Sequence, residues 1–318
     1  MSDRHPHSVR ERVLVTGAGG QLGTELRRVL TRAGYGVVGL GSTPRPGVDL
    51  VVDLRDREAL AAAFGEVAPL AVLHAAAWTD VDGCERDPAR ADAVNHRASA
   101  DLAALASDAG IWMLAVGTDF VFPGDGGAPY AEDAPTRPLS VYGASKLAGE
   151  QAVLAADATF AVARTSWVFG GAGKHFPRTV LTVVGQRGGM AVVEDEIGGP
   201  TYAPDLAEAL VRLLPHRPAG VLHLANAGSV SRFGLAQAVV AAAGGDPSAI
   251  TPTTTAAFLA QYPLPATRPA NSTLANTRAA ALGVTLPPWE DAVRRYAPIL
   301  AAETGFAAPT RPAKEADA

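Results

Sequence analysis

The chain has 318 residues, 48% of them hydrophobic and 19% charged, enough apolar material for a large core and too much for a disordered chain. A formal charge of -5, from 27 basic and 32 acidic residues, gives no basic excess to favour nucleic acid, and the single cysteine, Cys84, excludes a disulfide framework or a cysteine-rich zinc site. No apolar run approaches the ~20 residues of a bilayer crossing and no signal-peptide core is visible, so the expectation is a soluble, cytoplasmic protein with neither membrane nor nucleic acid as partner.

Residues 1–11 and 307–318 are polar and aperiodic, and both read as loose tails. Between them short apolar runs alternate with helical patterns. Val13 to Val15 reads as a strand ending in glycine-rich sequence, and a helix follows from Gln21 to Ala33, stopped by Gly34. Val37 to Leu40 and Leu50 to Val52 are the next strand candidates, then a helix over Arg57 to Phe64 and a strand over Ala71 to Ala75. One long alanine-rich helix is expected from Pro88 to Ala109, then a strand at Trp112 to Val116, a helix around Tyr142 to Ala155 and a strand at Phe160 to Arg164. Short strands separated by helices of this length predict an α/β fold, a Rossmann-type doubly wound parallel sheet. The second half is richer in Pro and Thr and predicts a smaller substrate domain. We place a nucleotide-binding domain at 12–165 and a substrate domain at 166–306, part of which can return to the sheet.

The glycines of Thr16-Gly17-Ala18-Gly19-Gly20-Gln21-Leu22-Gly23 lie between the first strand and the first helix. Gly17 allows a tight turn, Gly20 lets backbone approach a pyrophosphate, and Gly23 lets the helix pack on the sheet. The helix N-terminus adds unpaired N–H groups and a positive dipole end. Gly17, Gly19, Gly20, Gln21, Leu22 and Gly23 are therefore the expected dinucleotide contacts, and no Lys-Ser/Thr pair follows to make a P-loop. An acid at the end of the second strand would favour NAD. The sequence has Gly41-Ser42-Thr43-Pro44-Arg45 there, so Ser42 and Arg45 point to the 2′-phosphate of NADPH, with NADH as the other choice and Arg45 as a solvated loop residue the competing reading.

Tyr142 and Lys146 stand at i and i+4, on one face of a helix. The chain has six Tyr and three Lys, so chance supplies roughly 0.06 such pairs. The cation is expected to lower the phenol pKa and make Tyr142 a proton donor or acceptor. Thr118 follows the Trp112 strand, whose carboxyl end faces the ligand crevice, and its hydroxyl can bond a substrate carbonyl. Arg178, Arg268 and Lys174 are candidate cations for a nucleotide diphosphate, against solvated surface as the alternative.

These features resemble the extended short-chain dehydrogenase/reductase superfamily. Longer strings narrow the match: AAAWTDVD at 75–82, TDFVFPG at 118–124, VYGASKLAGE at 141–150, RTSWVF at 164–169, GPT at 199–201, RPANS at 268–272 and LPPWE at 286–290. Together they resemble the dTDP-4-dehydrorhamnose reductase family, over nearly the whole span from Val13 to Ala297. The resemblance implies reduction of the C4 ketone of a dTDP-4-keto-6-deoxysugar, dTDP-4-dehydro-β-L-rhamnose first, bound between the two lobes. Tyr142 would protonate the alkoxide, Lys146 hold the nicotinamide ribose, and Thr118 polarise the carbonyl with Asp119 beside it at the substrate. It further implies cofactor contacts at Asp53, Leu54, Ala75, Ala76 and Ala77. Trp167, which alone reads as core packing, becomes a substrate contact. Some members bind magnesium at a dimer interface. The matching positions are Glu25, Asp205 and Glu290, scattered acids that by default are surface residues, so no metal is assigned, and Mg2+ and a homodimer follow only from the resemblance.

The first alternative is a related dTDP-4-keto-deoxysugar 4-ketoreductase of antibiotic sugar biosynthesis, and three more distant readings compete. Related 4,6-dehydratases carry Glu where this chain has Phe120, which cannot shuttle protons. An epimerase would need only the tyrosine and a retained cofactor. A regulatory subunit of methionine adenosyltransferase shares the superfamily without this turnover, and an intact Thr118, Tyr142 and Lys146 speak against that role.

Overall fold

A computed structural model describes residues 12–171 and 173–306; the two expected tails lie outside the described residues. The first part of the chain runs β1 (Arg12–Thr16), α1 (Gln21–Arg32), β2 (Gly36–Gly41), β3 (Leu50–Val51), α2 (Arg57–Val67), β4 (Ala71–His74), α3 (Val81–Arg86), α4 (Pro88–Ala91), α5 (Ala98–Asp108), β5 (Trp112–Thr118), α6 (Val141–Ala156) and β6 (Ala161–Thr165). The second part runs β7 (Val168–Phe169), α7 (Phe176–Arg187), β8 (Met190–Val193), β9 (Ile197–Gly198), β10 (Thr201–Tyr202), α8 (Ala203–Leu213), β11 (Gly220–His223), β12 (Val230–Ser231), α9 (Arg232–Ala242), β13 (Ile250–Thr253), α10 (Thr255–Gln261), α11 (Thr277–Ala281) and α12 (Trp289–Thr304).

Seven strands form a sheet in the order β11-β6-β5-β4-β1-β2-β3, and every pairing in it is parallel. Order reverses between β1 and β4, so the carboxyl ends of these two strands open the crevice where doubly wound folds bind ligands. Strand residues alternate between two cores, as a sheet covered on both faces requires. Val13, Val15, Leu73 and Leu114 meet Leu26, Leu30 and Leu210 of α1 and α8. Leu14, Val72 and Met113 meet Leu60, Leu102 and Val153 of α2, α5 and α6.

The second part forms its own core, with Val180 and Leu181 of α7, Leu235 and Val239 of α9, and Trp289 and Leu300 of α12 buried together. Three two-stranded pairs, β7 with β10, β8 with β13 and β9 with β12, stand beside it. The second part also contributes to the main sheet: β11 pairs with β6 and α8 packs on α1.

Element positions agree with the sequence reading, with one correction. The helix expected from Pro88 to Ala109 is not one α-helix. Residues Asp92–Arg97 form a π-helical turn between α4 and α5. Asn95 sits inside that turn, and its side chain accepts from Trp78 N at 2.8 Å and donates to Trp78 O and Ser145 Oγ, both at 3.1 Å. A tertiary hydrogen-bond set, invisible to local periodicity, fixes the bulge, and such bulges concentrate at functional sites.

Candidate active site

A cleft of about 800 Å³ opens along the carboxyl ends of the strands. At its floor Gly17 takes φ +68°, and a Cβ there would lie 2.8 Å from Ala76 N, so only glycine lets the loop cross the end of β4. Gly20 N donates to Gly17 O at 2.9 Å, closing the turn. Helix α1 follows Gly20 with no side-chain cap and no acid in its first turn, which leaves its N–H groups and dipole facing the cleft, as an anion site requires. Gly17, Gly19, Gly20, Gln21, Leu22 and Gly23 all line the cleft, with Ala75, Ala76 and Ala77 opposite.

Ser42, Arg45, Asp53 and Leu54 border one end. Asp53 accepts from Arg55 Nε and Nη2, and this pairing holds its carboxyl below the usual carboxylate range. The Arg45 side chain lies against Gly19. Arg90, whose guanidinium stacks 4.3 Å over the Trp78 ring, also lines the cleft.

At the other end stand Thr118, Asp119, Tyr142, Lys146 and Trp167. Helix α6 presents Tyr142 because Ser140 caps it, accepting from Gly143 N at 3.1 Å, while Glu85 Oε1 accepts from Val141 N at 2.7 Å. The Phe120 ring meets Tyr142 edge-on, with centroids 5.5 Å apart. Burial pushes the Tyr142 phenol up to about 12, with the neighbouring Thr118 hydroxyl acting against the rise. This corrects the expectation that Lys146 lowers it. Although the two side chains share a helix face, Lys146 Nζ is directed at strand β5, where it donates to Val116 O at 2.8 Å. Burial brings Lys146 itself down to about 8.

Asp119 is 2% exposed. Its carboxylate accepts from Thr118 Oγ1 at 3.2 Å and from Ser272 Oγ, and burial pushes it up to about 6. Trp167 holds a positive φ of 45°, and the Arg232 guanidinium lies 3.5 Å over its ring. A second, more apolar cavity of about 530 Å³ adjoins there, sharing Trp167, Val168, Arg232 and Arg268 with the first.

The family model described as the RmlD substrate binding domain matches residues 11–301. The chain belongs to the RmlD family. A dTDP-4-dehydrorhamnose reductase of Mycobacterium tuberculosis (strain H37Rv) is 42% identical over 292 residues, 89% of this chain and 91% of that protein. A probable dTDP-4,6-dihydroxy-2-methyloxan-3-one 4-ketoreductase of Streptomyces antibioticus is 41% identical over 296 residues, 92% of this chain and 97% of that protein. The crystal structure of a dTDP-4-dehydrorhamnose reductase from Bacillus anthracis in complex with NADP superposes with a TM-score of 0.83, at 30% identity, covering 90% of this chain and 98% of that one.

One expectation for this RmlD-family chain needs correction. Arg178 is absent from the cleft lining: its guanidinium donates to Glu303 at 2.6 Å and to Gly171 O at 3.3 Å. Helix α12, contributed late in the chain, neutralises it. The three acids that the resemblance matched to magnesium, to which no metal was assigned, stand apart within this chain. Glu25 pairs with Arg28, Asp205 accepts from Asn226 and Arg295, Glu290 is exposed, and no group of three His, Cys, Asp or Glu is poised for a metal among the described residues. Arg268 and Lys174 do line the cleft, although Arg268 is paired with Asp82 at 2.6 Å. Sequence reading passed over Arg232 and Arg90, because an arginine that opens a helix and one in a single short helical turn carry no local mark of what they stack against. Among the described residues no helix is long and apolar enough to cross a membrane.

Proposed function

We propose that the chain reduces the C4 ketone of a dTDP-4-dehydro-6-deoxyhexose with NADPH, dTDP-4-dehydro-β-L-rhamnose being the first candidate. The observation that carries this reading is Tyr142, Lys146 and Thr118 in one cleft with the glycine loop, in a chain 42% identical to a named reductase of that sugar. NADP in the Bacillus anthracis relative supports the cofactor choice.

The glycine loop and the uncapped start of α1 would hold the diphosphate of the cofactor, and Ala75 to Ala77 would lie along it. Ser42 and Arg45, with Gly41 where an acid would repel it, suit a 2′-phosphate. When bound, NADPH supplies the hydride for C4. Lys146 holds the nicotinamide ribose, and Thr118 donates to the ketone oxygen. Tyr142 gives its proton to the alkoxide oxygen as charge develops there. A phenol held near 12 by burial is protonated at neutral pH, which suits an acid in reduction better than a base in oxidation. Phe120 offers no carboxyl for the water loss of a dehydratase.

The sugar nucleotide would span the two adjoining cavities, crossing at Trp167 and Arg232, with Lys174 and Arg268 near its diphosphate. We place the boundary between nucleotide-binding and substrate domains at residue 165, as the sequence suggests. A second reading, 4-keto reduction of a different dTDP-deoxysugar, is favoured by the Streptomyces antibioticus relative, which matches almost as well. NADPH absorbance followed with dTDP-4-dehydrorhamnose tests the proposal: stoichiometric loss supports a reductase, and conversion without loss points to an epimerase.

A further inference from the structure

The Thr118 hydroxyl has one hydrogen to give, and Asp119 and a substrate ketone would both accept it. Phe120 N donates to its oxygen at 3.3 Å, Asp119 Oδ1 stands 3.2 Å away, and the Tyr142 phenol is near enough for Thr118 to act against its upward shift. A carboxylate accepts and cannot donate. While Asp119 is ionised, the stronger charge-assisted bond draws the threonine hydrogen toward it, and Thr118 turns only lone pairs toward Tyr142 and the cleft. Once Asp119 carries a proton, that demand ends and the threonine hydrogen is free to swing into the cleft. The other carboxylate oxygen is held by Ser272 Oγ, from the late RPANS string. Ser272 is itself anchored, its N–H donating to Ile197 O at 2.9 Å. A residue more than 150 positions away thus fixes the carboxyl beside Thr118.

We propose that Asp119 is a positioning residue which, held by Ser272, sets the direction of the Thr118 hydrogen and thereby decides whether Thr118 can donate to a substrate ketone. The proposal rests on the reductase reading above and adds its acid–base control. The Asp119 carboxylate oxygens are taken by Thr118 and Ser272, and it acts through Thr118. The charged and titratable groups acting on it are Arg232 of α9, which favours ionisation, and Tyr142 of α6. Beyond Arg232 stand Glu196 and Arg268. Burial outweighs the arginine and pushes the carboxyl up to about 6, so the donor-competent form prevails on the acid side. Lys146, brought down to about 8, titrates separately at higher pH.

The test is the pH profile of kcat/KM, which reports groups of the free enzyme, measured on the full chain with NADPH and dTDP-4-dehydrorhamnose. Wild-type kcat/KM is expected to fall about tenfold per pH unit above the Asp119 titration. Asp119→Asn is expected to remove that limb and leave the one set by Lys146. Ser272→Ala, which takes a hydrogen bond from the carboxylate, is expected to move the limb up by about one pH unit, and Ser272→Thr to restore it. Carbon NMR of the Asp119 carboxyl, assigned with Asp119→Asn, is expected to show the same upward shift in Ser272→Ala without any substrate present. A limb that survives Asp119→Asn at the same pH, or a carboxyl titration unmoved by Ser272→Ala, overturns the proposal and leaves the reductase reading standing. A wild-type protein that oxidises no NADPH with any dTDP-4-keto sugar at any pH overturns that reading, and the proposal with it.

Discussion

Lys146 Nζ donates to the carbonyl oxygen of Val116 at 2.8 Å, tying the helix that carries Tyr142 to the strand that ends in Thr118. One buried ammonium thus spans the two elements on which the proposed chemistry depends, and it remains within the cleft lining. Lys146→Met keeps the length of the side chain and removes the charge and donors. Reductase kcat is expected to fall by about 10²–10⁴-fold while the fold survives, measured as NADPH oxidation alongside a thermal melt. Activity within about threefold of wild type would detach Lys146 from the reaction.

Gly149, one turn past Lys146 on α6, reports on the π-helical turn. A methyl group there would collide with Asn95 O, in the backbone of that turn. A glycine-to-alanine change inside a helix ordinarily stabilises by about 1 kcal/mol. Here the sign reverses: Gly149→Ala is expected to cost about 1–3 kcal/mol through overpacking, seen as a lowered Tm. An unchanged or raised Tm would mean that α6 and the turn are not in close contact.

Acid should destabilise the protein through its buried histidines. Burial brings His74 down to about 3, while burial and then Arg164 bring His223 down to about 4. Between these values and the usual histidine pKa the unfolded chain binds more protons than the folded one, so stability is present above about pH 6.5 and is lost as pH falls. Asp119, raised by burial to about 6, acts in the opposite sense and offsets part of the loss. His223→Leu is expected to flatten the decline of Tm between pH 7 and 5. The same steep decline in the variant would exonerate His223.

Arg232 stands in the cleft where Arg178 was expected. Arg178→Ala is expected to leave KM for the dTDP-sugar within about twofold, since its guanidinium is spent on Glu303 and Gly171. Arg232→Ala, at the junction of the two cavities, should raise KM by about 10–100-fold, the value of a charge-assisted bond. Steady-state kinetics on the two variants decides between them.

The sheet was legible because its strands are buried on both faces and read as uninterrupted apolar runs, and because Gly17, Gly20 and Gly23 mark the strand-to-helix junction. Tyr142 and Lys146 stood out through spacing and the scarcity of lysine. What sequence could not show depends on contacts between distant segments. Asn95 reaches Trp78 and Ser145, and the helix bulges. Glu303 neutralises Arg178 from α12. Arg232 finds Trp167 only after the second part has folded. The phenol pKa escapes the sequence for a related reason: helical spacing brings Lys146 beside Tyr142, but the strand carbonyl takes its hydrogen bond and burial dominates the phenol.

The most direct test of the central claim is a coupled assay in which the protein meets a panel of dTDP-4-keto-6-deoxysugars with NADPH, product stereochemistry being read by NMR. One mole of NADPH consumed per mole of C4 alcohol formed, fastest with dTDP-4-dehydro-β-L-rhamnose and abolished in Tyr142→Phe, is the expected result. Near-full turnover by Tyr142→Phe, or no NADPH consumption with any member of the panel, would contradict it.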